Sequence, residues 1–176
     1  DFNGRVVRTG VENRDSNTAG VGAWVESTVV YDILGNPLSS SVEVDATTTL
    51  THTYRYDPSQ LLIEVTEPAG NTHVTRYDER NLVFQVIRGF GSADESTTSV
   101  TYNRNGFPVL YFDAEDNDGD GLPETTFLTY DGFDRHVTTQ DALGNVFETV
   151  YDVASQVVET RAFGHPAGAP GAGNVL

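Results

Sequence analysis

The chain has 176 residues, ten of them basic and 26 acidic, for a formal charge of −16. That balance argues against nucleic acid, whose phosphates must be met by Lys and Arg, and against anionic membrane surfaces and heparin-like polyanions; it favours divalent cations, a high-salt setting or simply a solvated acidic surface. There is no Cys and no Met, which excludes disulfides, thiolate metal sites and cysteine nucleophiles and suits an exported protein, and no apolar run approaches the roughly 18 residues of a membrane-spanning helix.

Taken in order, residues 1–9 hold a turn at Asn3-Gly4 and a short predicted strand over 5–8. Residues 10–22 are polar and Gly-rich and are predicted as loop. Strand character resumes over 23–31, where Trp24 is expected to pack between strands rather than stack on sugar. Turn chemistry follows over 31–37, since Asp, Gly, Asn and Pro each favour a reversal for a separate steric or hydrogen-bonding reason. Residues 38–44 and 47–56 are rich in Val, Thr and Tyr and are predicted strands. Alternation places His52, Tyr54 and Tyr56 on one face of the second. A strand over 61–66, a turn at Pro68-Ala69-Gly70-Asn71, a return strand over 72–77 and another strand over 82–88 complete the most regular stretch. A long connection is predicted over 89–98. No segment carries a 3.6-residue apolar period with caps, so almost no helix is expected.

One phrase recurs through this pattern: Tyr-Asp (once Tyr-Asn), two residues, then Gly or a substitute for it. It appears at Tyr31-Asp32, Tyr56-Asp57, Tyr77-Asp78, Tyr102-Asn103, Tyr130-Asp131 and Tyr151-Asp152, with steps of 25, 21, 25, 28 and 21 residues between the tyrosines. The opening Asp1-Phe2-Asn3-Gly4 is the same phrase without its aromatic. A second turn phrase, Asp141-Ala142-Leu143-Gly144-Asn145 or Glu67-Pro68-Ala69-Gly70-Asn71, falls between copies. Each repeat is therefore strand, turn, strand, turn, and repeats of this kind pack mainly on their neighbours. A longer period is superimposed: Gly35 and Pro37 answer Gly106 and Pro108, Asp45 answers Asp113, and Phe90 answers Phe163, at offsets of 71, 68 and 73 residues. Three repeats form one larger unit, and about one and a half copies are present. Residues 1–161 are expected to be the β array and 162–176 a Gly/Ala/Pro-rich connection to a next repeat. The missing initiator Met and the half-phrase at Asp1 imply a piece of a longer chain.

These phrases resemble the YD repeats, also called RHS repeats, of bacterial polymorphic toxins, insecticidal toxin complexes and teneurins. The resemblance covers nearly the whole chain. It implies an all-β fold in which antiparallel hairpins form a twisted, spiralling sheet, often closed as a hollow shell that in the toxins encloses a C-terminal cargo. The family's end-of-shell element, an Asp-Pro-x-Gly stretch, has no counterpart here, so its autoproteolytic aspartates cannot be assigned.

One stretch departs from the repeat. Residues 113–124 replace the short second turn of their repeat, and within them Asp116, Asp118, Asp120 and Gly121 match Asp-x-Asp-x-Asp-Gly, the front half of a calcium loop. Alternate carboxylates in a tight loop converge on one hard cation. Leu122 offers its carbonyl and Glu124 sits where a ninth-position ligand or water bridge belongs. The twelfth position is Phe127, so the loop is not an EF-hand and is closer to the helix-free calcium loops of extracellular repeat proteins. Asp113 or Glu115 is expected to complete the shell, and structural Ca2+ is the expected cofactor.

The remaining candidates are weaker. The Asp of each Tyr-Asp is expected to serve its turn, not to form an array of acids, and each Tyr to pack along the strands with its hydroxyl at a polar edge. His52 and His73 each precede a Tyr by four residues but lack a third zinc ligand. No Gly-x-Ser-x-Gly and no phosphate-cradling Gly loop occurs. The expected function is a non-enzymatic, calcium-stabilised scaffold segment (shell, stalk or filament) of a secreted or surface protein. Its partners would be adjacent repeats of the same or another chain through open sheet edges. Two alternatives are an adhesin-like module binding glycan or protein through residues 10–22 and 89–98, and part of a toxin-encapsulating shell.

Overall fold

The computed structural model describes residues 1–12, 24–45, 47–115, 123–164 and 174–175. Its elements in chain order are strands β1 (Arg8–Glu12), β2 (Trp24–Tyr31), β3 (Pro37–Glu43), β4 (Thr49–Tyr56), β5 (Leu62–Thr66), β6 (Thr72–Tyr77), β7 (Val83–Arg88), β8 (Ser96–Tyr102), β9 (Pro108–Phe112), β10 (Thr125–Tyr130), β11 (His136–Gln140), β12 (Val146–Tyr151), β13 (Val157–Gly164) and β14 (Asn174–Val175). No helix occurs among the described residues. The chain divides into two compact units, residues Asp1–Arg76 with Ile87–Glu95, and Tyr77–Val86 with Ser96–Leu176. In the first, β1 to β6 pair antiparallel in chain order. In the second, β8 to β14 do the same. Short connections allow only this neighbour-to-neighbour pairing, since a parallel pair would need a crossover of a dozen residues or more.

Most strand ends shift by one or two residues from the sequence reading, and three boundaries differ by more. The first strand is Arg8–Glu12, not 5–8, because Asp1 ties down Arg5 in a turn while Gly10 and Val11 gain partners in Glu26 and Val25. A paired neighbour outweighs the poor strand preference of glycine. The connection after β7 is shorter, residues 89–95, with β8 starting at Ser96. At the other end β13 runs three residues past 161, where Phe163 and Gly164 pair with Val175 and Asn174. Residues 13–23 and the Trp24 side chain lie outside the described residues.

Among the described residues only Ile87 is buried, at 4 % exposure. Elsewhere apolar side chains on the strands are half-covered: Val42 and Leu50 are each 45 % exposed, Phe127 47 % and Phe147 50 %. Cohesion within each unit therefore comes from cross-strand pairs and backbone ladders more than from a central core.

The register slips at the same place in five of the Tyr-Asp repeats. Val30 faces Ser39 but Tyr31 faces Pro37, skipping Leu38. The same slip skips Ile63, Val109, Val137 and Val158. The extra residue always lies on the return strand and is always aliphatic. Such bulges sharpen local twist. They also leave the outgoing strand's alternation intact, so that Tyr54 and Tyr56, like Val100 and Tyr102, share a face.

Candidate functional site

The Tyr-Asp turns are built by their own acid. The Oδ1 of Asp57 accepts the N–H groups of Ser59 and Leu61 (2.8 and 2.9 Å), that of Asp78 those of Arg80 and Leu82 (2.8 and 2.9 Å), and that of Asp152 those of Ala154 and Gln156 (2.8 and 2.9 Å). Asn103 substitutes its amide oxygen for the same purpose, on Asn105 and Phe107. The third residue after the acid donates its N–H to the acid's carbonyl and takes a left-handed backbone. Gly106 does so at φ 85° without steric cost, whereas Ser155 is held at φ 62° and Gln60 at 67°; side chains other than Gly, Asn and Asp rarely adopt this region. These bonds set the acidity of the turns. Asp131 is held below the usual carboxylate range by the Arg135 side chain, and Asp32 by the Asn36 amide. Hydrogen bonds from the Leu82 backbone do the same for Asp78. The acids are spent on turns, as expected.

The tyrosines and certain arginines connect one turn to the next. Four of the Tyr hydroxyls donate to a backbone carbonyl just beyond the preceding turn: Tyr31 to Val6 (3.2 Å), Tyr102 to Val83 (2.6 Å), Tyr130 to Pro108 (2.9 Å) and Tyr151 to His136 (3.0 Å). Burial raises the Tyr102 and Tyr130 hydroxyls above their ordinary pKa. In return the preceding turn sends an arginine forward. Arg5 bonds Asp1 Oδ2 and the Asp32 carbonyl (2.7 and 3.1 Å) and lies 4.7 Å over the Tyr31 ring. Arg135 bonds Asp131 Oδ2 and the Asp152 carbonyl (2.7 and 3.2 Å) and lies 4.6 Å over Tyr151. Arg80 makes the same set with Asp78, Asn103 and Tyr102. The sequence reading placed the hydroxyls at a polar edge but missed the arginines. The available signal was an Arg two or four residues after the acid.

The expanded connection between β9 and β10 is a different structure. Asp116, Asp118, Asp120 and Leu122 of the predicted calcium loop lie outside the described residues; Asp113, Glu115 and Glu124 lie within them. The base of the connection is closed by backbone bonds: Asp113 N–H to the Glu124 carbonyl (2.8 Å) and Glu124 N–H to the Glu115 carbonyl (3.2 Å). The Asp113 carboxylate takes the adjacent Ala114 N–H (2.7 Å) in place of a turn. Beside it is a cavity of about 340 Å³ lined by Thr98, Ser99, Val100, Tyr111, Phe112, Asp113, Glu124 and Thr126. Register puts Val100, Tyr111 and Thr126 in one row across three strands, with Thr98, Asp113 and Glu124 two residues further along the same face.

His52 and His73 share a face within the first unit, His52 with Tyr54, and His73 opposite Val65, which is opposite Tyr54. The His73 Nε2 is 3.0 Å from Glu67 Oε1. Among the described residues no group of three His, Cys, Asp or Glu side chains is arranged to hold a metal.

Sequence phrase, turn geometry and tyrosine placement recur together, so the repeating unit is a Tyr-Asp turn joined to antiparallel hairpins. No family model matches the chain, and no curated protein matches it. Solved structures do. It is similar to a chain of the TcdB2-TccC3-Cdc42 structure, at 15% identity and a TM-score of 0.44, covering 100% of this chain and 12% of that one. A chain of TcdB2-TccC3 without its hypervariable C-terminal region matches at 14% identity and TM-score 0.43, again over 100% and 12%. A chain of the Photorhabdus luminescens Tc holotoxin pore matches at 13% identity and TM-score 0.24, over 86% and 13%. The chain thus spans 12 to 13% of the length of these structures' chains.

Proposed function

We propose that this chain is a non-enzymatic scaffold segment of a larger secreted or cell-surface YD-repeat protein, contributing wall to a shell, stalk or filament. The observation that carries this reading is how its functional-looking side chains are used. Turn acids, tyrosine hydroxyls and forward-reaching arginines all bond within the repeat or to the next one, which favours propagation of a sheet over chemistry on a substrate. Adjacent repeats of the same or another chain are the natural partners. Among the described residues no helix is long and apolar enough to cross a membrane.

The finer part of the proposal is structural calcium held by Asp116, Asp118, Asp120, the Leu122 carbonyl and Glu124. Its support is the Asp-x-Asp-x-Asp-Gly spacing, together with a base that holds the two ends of the connection within hydrogen-bond distance. Bound calcium would neutralise carboxylates that otherwise repel, pinning the insertion to the sheet. A glycan array probed with the chain, and with a variant shortened in the 89–95 connection, tests the scaffold reading against an adhesin. No selective glycan signal is expected. A glycan bound by the wild type and lost in the variant would overturn the scaffold reading.

A further inference from the structure

Three junctions between successive Tyr-Asp turns are held by an arginine that bonds the next turn's backbone: Arg5 on Asp32, Arg80 on Asn103 and Arg135 on Asp152. The junction between the turn at Asn103 and the turn at Asp131 is held by an amide instead. Asn105 Nδ2 donates to Asp134 Oδ1 at 2.8 Å, inside one compact unit. The exchange matters chemically. A guanidinium keeps its charge and its donors, whereas asparagine is a thermolabile residue. Its side-chain carbonyl is open to attack by the next backbone nitrogen, most of all where glycine follows, since no Cβ then blocks the approach.

Only two asparagines of the chain precede glycine, Asn3 and Asn105. Asn36 precedes Pro37, whose nitrogen carries no proton to lose. Asn71, Asn81 and Asn145 precede Thr72, Leu82 and Val146, which crowd the attack. Asn3 and Asn105 stand at the same place in the same kind of turn. The Gly4 N–H donates to the Asp1 carbonyl and the Gly106 N–H to the Asn103 carbonyl, each at 3.1 Å, with φ of 75° and 85°. Both asparagines are exposed. They differ in what the amide holds. That of Asn105 reaches the next turn, while no hydrogen bond joins the Asn3 side chain to another turn among the described residues.

We propose that Asn105 is a site of spontaneous deamidation and that its conversion breaks the junction between two successive repeats. When the turn opens locally, the Gly106 nitrogen loses its proton to solvent and attacks Asn105 Cγ. A new N–C bond forms, the bond from Cγ to Nδ2 breaks, and Nδ2 leaves as ammonia with a proton taken back from solvent. The product is a five-membered succinimide. Water opens that ring at either carbonyl, giving an aspartate at position 105 or its isomer, in which the backbone runs through the former side chain. One water enters, one ammonia leaves, and nothing is oxidised or reduced. In either product a carboxylate replaces the donor that Asp134 accepted from, and an ionised carboxylate has no proton to give. Two like charges then meet between the turns, so the junction weakens with the age of the protein.

The test has two arms. In the first, the intact chain is incubated in warm, mildly alkaline buffer and digested at intervals, and peptide mass spectrometry follows the mass gain of deamidation at each asparagine. Conversion is expected at Asn3 and Asn105 well before Asn71, Asn81 or Asn145. In the second, Asn105→Asp stands in for the converted form. Its melting temperature is expected to fall by about 2–4 °C, and Asn3→Asp, which loses no link, to stay within about 1 °C of the wild type. Added salt and the second change Asp134→Asn should each recover most of the loss in Asn105→Asp. Conversion at Asn105 no faster than at Asn71 or Asn145 would overturn the modification site. A melting temperature in Asn105→Asp equal to that of the wild type, or a loss that Asp134→Asn does not recover, would overturn its effect on the junction.

Discussion

The Asp141–Asn145 turn and the 113–124 connection occupy the same place in successive repeats, and they treat the same acid in opposite ways. Asp141 closes its turn completely: its N–H reaches the Asn145 carbonyl (3.0 Å), its Oδ1 takes the Asn145 N–H (2.8 Å) and its Oδ2 the Asn145 amide (2.8 Å). Asp113 keeps the backbone half of that arrangement, with its N–H on Glu124 (2.8 Å). Its carboxylate instead takes the adjacent Ala114 N–H (2.7 Å), and the residue opposite is Glu124 in place of an asparagine. A self-satisfied turn needs nothing from outside. The expanded one, on the calcium reading proposed above, is closed by a bound cation as well as by its backbone.

The comparison can be broken most severely at the tyrosines. Tyr130→Ala removes the hydroxyl bond to Pro108 and ring contacts with Phe107 and His136, and is expected to lower urea stability by about 2–4 kcal/mol. Tyr111→Ala, beside the expanded connection, should cost clearly less. Equal losses would mean that the two tyrosines are alike in role. Asp141→Ala is expected to cost about 1–2 kcal/mol through lost hydrogen bonds, and Asp113→Ala in chelator less than about 0.5 kcal/mol. Converting the short turn with Asn145→Asp should cost about 1 kcal/mol and be relieved by salt. Glu124→Asn should gain stability in chelator by restoring the donor. The smallest effect is Ser155→Gly, which relieves a left-handed serine and is expected to stabilise by about 0.5–1 kcal/mol.

Acid titration sharpens the same contrast. Asp131, Asp32 and Asp78 have folded pKa values below their ordinary range, from side-chain donation by Arg135, side-chain donation by Asn36 and backbone donation by Leu82 respectively. Their contribution is present above the unfolded carboxylate pKa, near 3.9 as an approximate reference, and is lost as pH falls through the depressed folded values. Melting temperature should therefore drop below about pH 4, and Asp131→Asn should flatten that acid limb. An unchanged limb would show that the turn bonds do not govern acid stability.

Much of the array was legible because its signals are local. Asp-x-x-Gly fixes a turn within five residues, and Val, Thr and Tyr mark the strands between. What escaped was non-local. The Arg135 link to Asp152 and the Tyr130 link to Pro108 span 17 and 22 residues; both require knowing that successive turns lie side by side. The bulges at Ile63 and Val137 come from pairing and leave no mark in composition. Strand β1 was misplaced because Gly10 signals a loop until its partner Glu26 is known. At the candidate site the calcium spacing was plain, yet the exchange of asparagine for Glu124 opposite Asp113 emerged only when Glu124 was set against Asn145. Two turns of different length align at their bases, which the fold defines.

Thermal unfolding in calcium and in chelator, for wild type and Asp118→Ala, tests most directly whether the expanded turn depends on a cation. Calcium should raise the wild-type melting temperature, chelator should abolish the gain, and Asp118→Ala should show none. A melting temperature indifferent to millimolar calcium in the wild type would contradict structural calcium at this turn.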